Sequence, residues 1–140
     1  MVLIMSKFCF LILFGTLLCN WIPQDAILTP ENVLSTIESL TLNNFKVFVA
    51  FYEESDLAGF NKKFIQNFMQ VCENLKKKRV RFYMYMSEIP MELQRRYYMY
   101  YYTLPKVKLF IDGSHMTYNG GTSPKHIETW VLKMIKRNDD

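Results

Sequence analysis

The chain has 140 residues, of which 50% are hydrophobic and 16% aromatic, and its 17 basic and 13 acidic side chains give a formal net charge of +4. This composition excludes global disorder, because so many apolar side chains can bury enough surface to offset the entropy lost on folding. The length suits one domain. The charge balance is too mild to indicate a protein dedicated to nucleic acid.

Residues 1–22 are predicted to be a signal peptide. Before Asp25 the only charged side chain is Lys7, and residues 8–18 form an almost unbroken apolar run of the length found in secretory signals. An uncleaved membrane anchor is the alternative, because residues 1–5 are also apolar and no small-x-small cleavage site follows. The sequence therefore predicts a location in the secretory pathway, either in the endoplasmic reticulum lumen or secreted.

Three cysteines occur in the chain, and Cys9 and Cys19 both lie in the N-terminal segment. The domain that follows keeps only Cys72, which cannot close an intramolecular disulfide, so its stability must come from core packing. Cys72 falls on the apolar side of a predicted helix, where a free cysteine is expected to be an inert core residue. An exposed thiol that pairs with another chain is the alternative.

In the first half of the domain, strands are predicted to alternate with helices. A short strand over residues 26–28 precedes a helix that Thr29 caps and Pro30 opens. Residues 45–52 form an apolar run typical of a central strand covered on both faces. Residues 60–75 carry apolar side chains at helical spacing. The inner faces of these two helices are predicted to comprise Val33, Leu34, Ile37 and Leu40, and Phe60, Phe64, Ile65, Phe68, Met69, Cys72 and Leu75.

The second half is predicted to add a strand over residues 80–86, a helix over 87–98, and an antiparallel hairpin of 107–112 and 116–118. Ser123 and Pro124 then open a last helix. Its inner face is predicted to comprise Ile127, Trp130, Val131, Met134 and Ile135. The order βαβαβαββα indicates an α/β domain with a central mixed β-sheet and helices on both faces.

Three segments in this order resemble parts of a thioredoxin-like domain of the protein disulfide isomerase family. Residues 45–52 (FKVFVAFY) resemble its central strand, residues 103–110 (TLPKVKLF) its cis-proline strand, and residues 118–127 (YNGGTSPKHI) its last turn and helix. The resemblance implies a thioredoxin-like fold over residues 27–137. It also implies a cis peptide bond between Leu104 and Pro105, which is chemically reasonable because cis bonds are nearly confined to X-Pro.

The redox motif of that family is absent from the sequence. Active members carry Cys-x-x-Cys where the central strand turns into the next helix, because the helix N-terminus lowers the pKa of the attacking thiol. The two cysteines would fall at Asp56 and Gly59 by motif register, or at Ser55 and Ala58 by helix periodicity, and none of these is a cysteine.

Two further positions depart from the pattern of active members. Ala50 stands where they bury an acidic residue, and Thr122 stands where active isomerases commonly carry an arginine. The resemblance therefore implies a domain that has lost its redox reaction. Ser55 and Asp56 also have a structural interpretation, since both residue types cap helices well.

Several other features leave two interpretations open. Five tyrosines near the proline cannot all be buried, so some either line an aromatic surface for polypeptide or pack along the strand edge. They are Tyr97, Tyr98, Tyr100, Tyr101 and Tyr102. The basic run over residues 76–79 is interpreted as a solvated helix end, with a nucleic-acid or anionic-lipid patch as the alternative. His115 and His126 are predicted to be solvated surface residues, and no cofactor or metal site is predicted.

The leading hypothesis is a redox-inactive thioredoxin-like module that binds unfolded or extended polypeptide non-covalently, in a chaperone or escort role and without catalytic residues. By the resemblance, its peptide-binding residues are Ser55, Asp56, Leu57, Ala58, Tyr102, Leu104, Pro105, Gly120 and Gly121. The alternatives are an assembly subunit that docks on one folded partner of the secretory pathway, and a thiol-disulfide oxidoreductase that uses Cys72. Membrane contact is expected only if the N-terminal segment stays attached.

Overall fold

The computed structural model describes residues 22–53, 60–99 and 106–137. Within these ranges the chain forms five strands and four α-helices, in the predicted order βαβαβαββα. They are β1 (Ile27–Leu28), α1 (Val33–Leu42), β2 (Lys46–Phe51), α2 (Phe60–Asn74), β3 (Val80–Tyr85), α3 (Met91–Tyr97), β4 (Lys106–Ile111), β5 (Ser114–Thr117) and α4 (Pro124–Arg137). Two short 3₁₀ turns occupy Gln24–Ala26 and Lys76–Lys78.

The strands form one mixed sheet in the order β1-β3-β2-β4-β5. β3 pairs in parallel with both β1 and β2, whereas β4 pairs antiparallel with β2 and β5. All six residues of β2 are buried. The apolar run predicted this burial, which is typical of a central strand covered on both faces. The predicted mixed sheet is confirmed.

Alternate residues of β2 build two separate layers of the core, because successive side chains in a strand point to opposite faces. Phe48 and Ala50 face α2 and α4 on one side of the sheet. Val47, Val49 and Phe51 face α1 and α3 on the other side. The two layers therefore share the same central strand.

Phe68 of α2 lies at the centre of the aromatic contacts in the larger layer. Its ring centroid lies 5.1 Å from that of Tyr118, 6.1 Å from Phe82, 6.3 Å from Phe48 and 6.4 Å from Trp130. These contacts join β2, β3, α2 and α4 through aromatic rings, which prefer tilted or edge-to-face arrangements at such distances. The predicted inner faces of α2 and α4 thus pack against each other.

Two helix starts differ from prediction. α1 begins at Val33 rather than Pro30, because Asn32 accepts the Thr29 N–H on its Oδ1 at 2.8 Å and closes a separate turn. α3 begins at Met91 rather than Ser87, because Pro90 is extended with ψ 144° and a proline disfavours helix at the residue before it. The predicted start of α4 is confirmed, and the N–H of His126 donates to Ser123 Oγ at 3.3 Å.

Candidate functional site

The strand register brings the ends of three predicted site segments to one end of the sheet. Phe51 at the end of β2 is the register partner of Lys106 at the start of β4. The N–H of Tyr118 donates to the carbonyl of Val107 at 2.9 Å, so Gly120 and the following residues leave the sheet at the same end. This end is called the site end below.

Most of the predicted peptide-binding residues lie outside the described residues. These are Ser55, Asp56, Leu57, Ala58, Tyr102, Leu104 and Pro105, together with the predicted cis bond. Gly120 and Gly121 are described, and both are exposed at the site end.

The turn that holds these glycines is anchored by Tyr118, which was predicted at the end of a strand and the start of the last turn but was given no role in holding it. The Tyr118 hydroxyl donates a hydrogen bond to the carbonyl of Gly121. Its ring packs edge-on against Phe68 and Trp130, each with a centroid separation of 5.1 Å. Burial of the ring raises the pKa of the Tyr118 hydroxyl. In the sequence, this role is indicated by a tyrosine at the end of a strand, two residues before a pair of glycines.

Neighbouring side chains approach both glycines closely. A Cβ on Gly120 would lie 2.7 Å from Tyr118 Oη and 2.8 Å from Cζ, and one on Gly121 would lie 2.5 Å from His126 Nδ1. The Thr122 carbonyl also accepts a long hydrogen bond, 3.5 Å, from the side-chain amide of Asn67 on α2. The turn is thus tied to the core and to the neighbouring helix.

Ala50, near the end of β2, occupies the position where redox-active members of the resembled family are expected to bury an acid. Ala50 is fully buried in the layer that faces α2. The buried charged side chains among the described residues are Lys46 and Lys108, and no carboxylate is among them. No described side chain near Ala50 can therefore act as a buried carboxylate that accepts a proton from a thiol.

Cys72 is 2% exposed and lies in the same core layer as Phe68. Burial raises the pKa of its thiol far above the usual range, because the charged thiolate would lose its hydration. The predicted core position is confirmed. At this position the thiolate, which is the reactive form, is strongly disfavoured.

The tyrosine cluster divides between core and surface. Tyr97 is buried with its ring 4.7 Å from that of Phe110, whereas Tyr98 is 77% exposed. Tyr100, Tyr101 and Tyr102 lie outside the described residues.

The prediction of a solvated His115 is wrong. The hairpin turn is formed by residues 112–113, so His115 lies on β5 as the partner of Phe110 and is partly buried. Its ring lies 5.3 Å from that of Tyr97. Burial and the nearby Lys108 lower the pKa of His115. His126 is exposed, as predicted. In the described ranges, no three His, Cys, Asp or Glu side chains cluster closely enough to hold a metal ion.

Solved structures with a similar arrangement include two of human ERp44 and the J-Trx1 fragment of ERdj5. Human ERp44 form II matches with a TM-score of 0.59 and 20% identity, over 79% of this chain and 30% of that chain. The zinc-bound form of human ERp44 matches with a TM-score of 0.58 and 22% identity, over 79% of this chain and 32% of that chain. The J-Trx1 fragment matches with a TM-score of 0.59 and 14% identity, over 79% of this chain and 51% of that chain.

The fold is thioredoxin-like. The fold expected from the resemblance to the protein disulfide isomerase family is thereby confirmed. The thioredoxin-like domain spans from under a third to about half of the length of these matched chains. No protein-family model matches the chain, and no curated protein matches it by sequence. None of the helices in the described part of the chain is both long and apolar enough to cross a membrane.

Proposed function

We propose that this chain is a redox-inactive thioredoxin-like module of the secretory pathway that binds polypeptide non-covalently, in a chaperone or escort role. The observation that carries the proposal is the position of Cys72, the one cysteine after residue 19, which is buried on the inner face of α2. Residues 52–60 supply no thiol to replace it at the site end. Without an accessible thiolate the domain has no nucleophile for disulfide exchange.

The same end of the sheet remains suited to polypeptide. The glycine turn is anchored to the core yet exposed, so its backbone is preorganised without a side chain to block approach. In this proposal an extended polypeptide pairs with the backbone at Leu104, as a strand added to a sheet, while Leu57 and Tyr102 supply apolar contact. The similarity of fold to ERp44 and ERdj5 supports protein partners and a location in the secretory pathway.

A redox assay tests the first half of the proposal. With Cys9 and Cys19 replaced by serine, the full chain is expected to show no insulin-disulfide reduction above background, because the remaining thiol is buried. Activity that is present in this background and disappears with Cys72→Ser would instead establish an oxidoreductase that uses Cys72.

A binding assay tests the second half. Leu104→Asp combined with Tyr102→Ser is expected to weaken capture of an unfolded client at least about tenfold, because a charge replaces an apolar contact at the pairing edge. Leu42→Ser is the matched control, because Leu42 is 81% exposed and lies away from the site end. Leu42 is the last residue of α1, which leads into the start of β2 at the opposite end of the sheet. Equal affinity in the site variant and the wild-type chain would contradict the proposal.

A peptide array then separates a general escort from a dedicated subunit. A module that binds unfolded chains is expected to accept many apolar segments, because backbone pairing carries little sequence preference. Binding to none of these peptides but to one folded partner would assign the chain to an assembly role.

A further inference from the structure

The end of the sheet opposite the site end carries a compact group of cations, here called the cationic turn: Lys76, Lys77, Lys78, Arg79 and Arg81. The three lysines form a 3₁₀ turn just after α2, and β3 begins at Val80. The carbonyl of Arg79 accepts the N–H of Lys46 at 2.9 Å, which places the turn beside the start of β2.

The two arginines have structural roles in this turn. Arg79 Nη1 donates to the carbonyl of Asn43 at 2.8 Å, and Arg81 Nη1 donates to the carbonyls of Lys76 at 3.2 Å and Val80 at 3.0 Å. Both guanidinium groups lie over the ring of Phe45, 5.3 Å and 4.7 Å from its centroid. They therefore fix the backbone of the turn and its contact with the end of α1.

The lysines have no comparable structural role. Lys77 and Lys78 are exposed, and neither side chain forms a hydrogen bond or an ion pair within the described residues. Lys76 forms a loose pair with Glu73 at 3.9 Å, with both side chains more than half exposed. Such a pair contributes little to stability. Their charges are thus available to a partner, on a backbone that the arginines hold in place.

An exposed leucine lies at the same end of the sheet as these charges. Leu42, the last residue of α1, is 81% exposed and precedes Asn43, whose carbonyl Arg79 binds. A single exposed leucine is ordinary on a protein surface. At this end of the sheet, Leu42 and the exposed lysines supply the combination of apolar and cationic side chains that binds at a membrane interface.

The N-terminal segment joins the domain near the same place. Pro23 and Asp25 line a cavity of about 360 Å³ together with Lys76 and Arg81. The described chain begins at Ile22, and the apolar run over residues 8–18 precedes it in the sequence. The run therefore ends four residues before Ile22 in the sequence, and the described chain starts at the end of the sheet that carries the cationic turn.

We propose that the cationic turn and Leu42 dock the domain on an anionic phospholipid surface. The lysine ammonium groups contact lipid phosphates while their stems lie along the interface, and Leu42 enters the boundary between headgroups and acyl chains. Single-stranded nucleic acid is a poorer fit, because both guanidinium groups lie over the ring of Phe45 and compete with a base for stacking on it. The proposal is independent of polypeptide binding at the site end.

Vesicle binding of the full chain tests the proposal. The partition coefficient of the chain is measured on phosphatidylcholine vesicles that contain roughly 30% phosphatidylserine and on vesicles of phosphatidylcholine alone. The readout is the ratio of the first coefficient to the second, in which the apolar contribution of the N-terminal segment cancels. Lys77→Ala with Lys78→Ala is expected to lower the ratio about 25-fold, at about fivefold for each lysine. Raising salt from about 0.1 M to about 1 M should remove most of the preference, since the Debye length falls from about 10 Å to about 3 Å.

The matched control is Lys125→Ala with Lys133→Ala, which removes two exposed lysines from α4. It is expected to leave the ratio within about twofold of wild type, because these charges lie outside the cationic turn. Leu42→Ser should weaken binding to anionic vesicles roughly threefold to tenfold without changing its salt dependence. Unfolding in urea confirms that each variant is folded.

Two results would overturn the proposal. The first is an equal fall in the ratio for the two double-lysine variants, which would show that only net charge matters. The second is no preference for anionic vesicles together with binding to polyglutamate or single-stranded RNA that Lys77→Ala with Lys78→Ala abolishes. That result would assign the cationic turn to an acidic macromolecule.

Discussion

Gly120 lies against the ring of Tyr118, which cannot move aside because Phe68 and Trp130 pack on it. Gly120→Ala would place a Cβ 2.7 Å from the Tyr118 hydroxyl oxygen. We expect this variant to lower the free energy of unfolding by about 1–3 kcal/mol, the range for overpacking against a buried side chain. Urea denaturation measures the change.

Gly121→Ala is the matched control, because its new Cβ would meet the imidazole of His126, an exposed side chain that can turn away. We expect a loss below about 1 kcal/mol. Equal losses in the two alanine variants would show that the ring of Tyr118 does not constrain Gly120.

His115 makes stability depend on pH. Burial and Lys108 hold its folded-state pKa below the ordinary value of 6.5, so the unfolded chain binds the proton more readily. Its contribution is fully present above about pH 6.5 and is lost as the pH falls through that value toward the folded-state pKa. His115→Gln is therefore expected to reduce the fall in unfolding free energy between about pH 7.5 and pH 5.

Urea denaturation across that pH range measures the effect. His126→Gln, which alters an exposed side chain of α4, is the control for removing a histidine as such. A pH profile that is the same in His115→Gln and the wild-type chain would show that His115 makes no such contribution.

At the scale of elements, α2 and α4 are joined by the ring of Phe68. Phe68 of α2 is fully buried and packs against five rings, those of Phe48, Phe64, Phe82, Tyr118 and Trp130. Phe68→Ala is expected to cost about 3–5 kcal/mol, because it opens a cavity among these rings. Chemical denaturation measures the loss, and Phe68→Leu provides a milder variant if alanine prevents folding.

Leu132→Ala is the control for the same pair of helices. Leu132 lies on the outer side of α4 and is 38% exposed, so its removal should change the free energy of unfolding by about 0.5 kcal/mol or less. A loss from Phe68→Leu no larger than that from Leu132→Ala would contradict the view that Phe68 joins the helices.

At the scale of the whole molecule, the two core layers share β2 and should unfold together. Val49 lies in one layer and Phe48 in the other, so the opening of either layer exposes buried side chains of β2. We expect one transition in urea, with the same midpoint by far-ultraviolet circular dichroism and by the fluorescence of Trp130 in a Trp21→Phe background. Two separated midpoints would show that the layers unfold independently.

Much of the architecture could be predicted because it depends on local patterns. Helical spacing identified the inner faces of α2 and α4, and an unbroken apolar run identified β2, since burial on both faces removes the need for polar residues. The starts of α1 and α3 were less predictable. At Asn32 and Pro90 the turn before the helix competes with the first helical turn, and single-residue preferences do not decide between them.

The sequence by itself determined the element order, the core position of Cys72 and the absence of a cysteine pair after β2, because each depends on residue type and spacing along the chain. The tertiary structure decided how these segments pack. It placed Gly120 against a Tyr118 ring that Phe68 and Trp130 hold, put His115 on a partly buried strand rather than in the predicted turn, and separated structural arginines from exposed lysines in the cationic turn. The contacts that fix these arrangements come from other elements of the fold, so no local pattern specifies them.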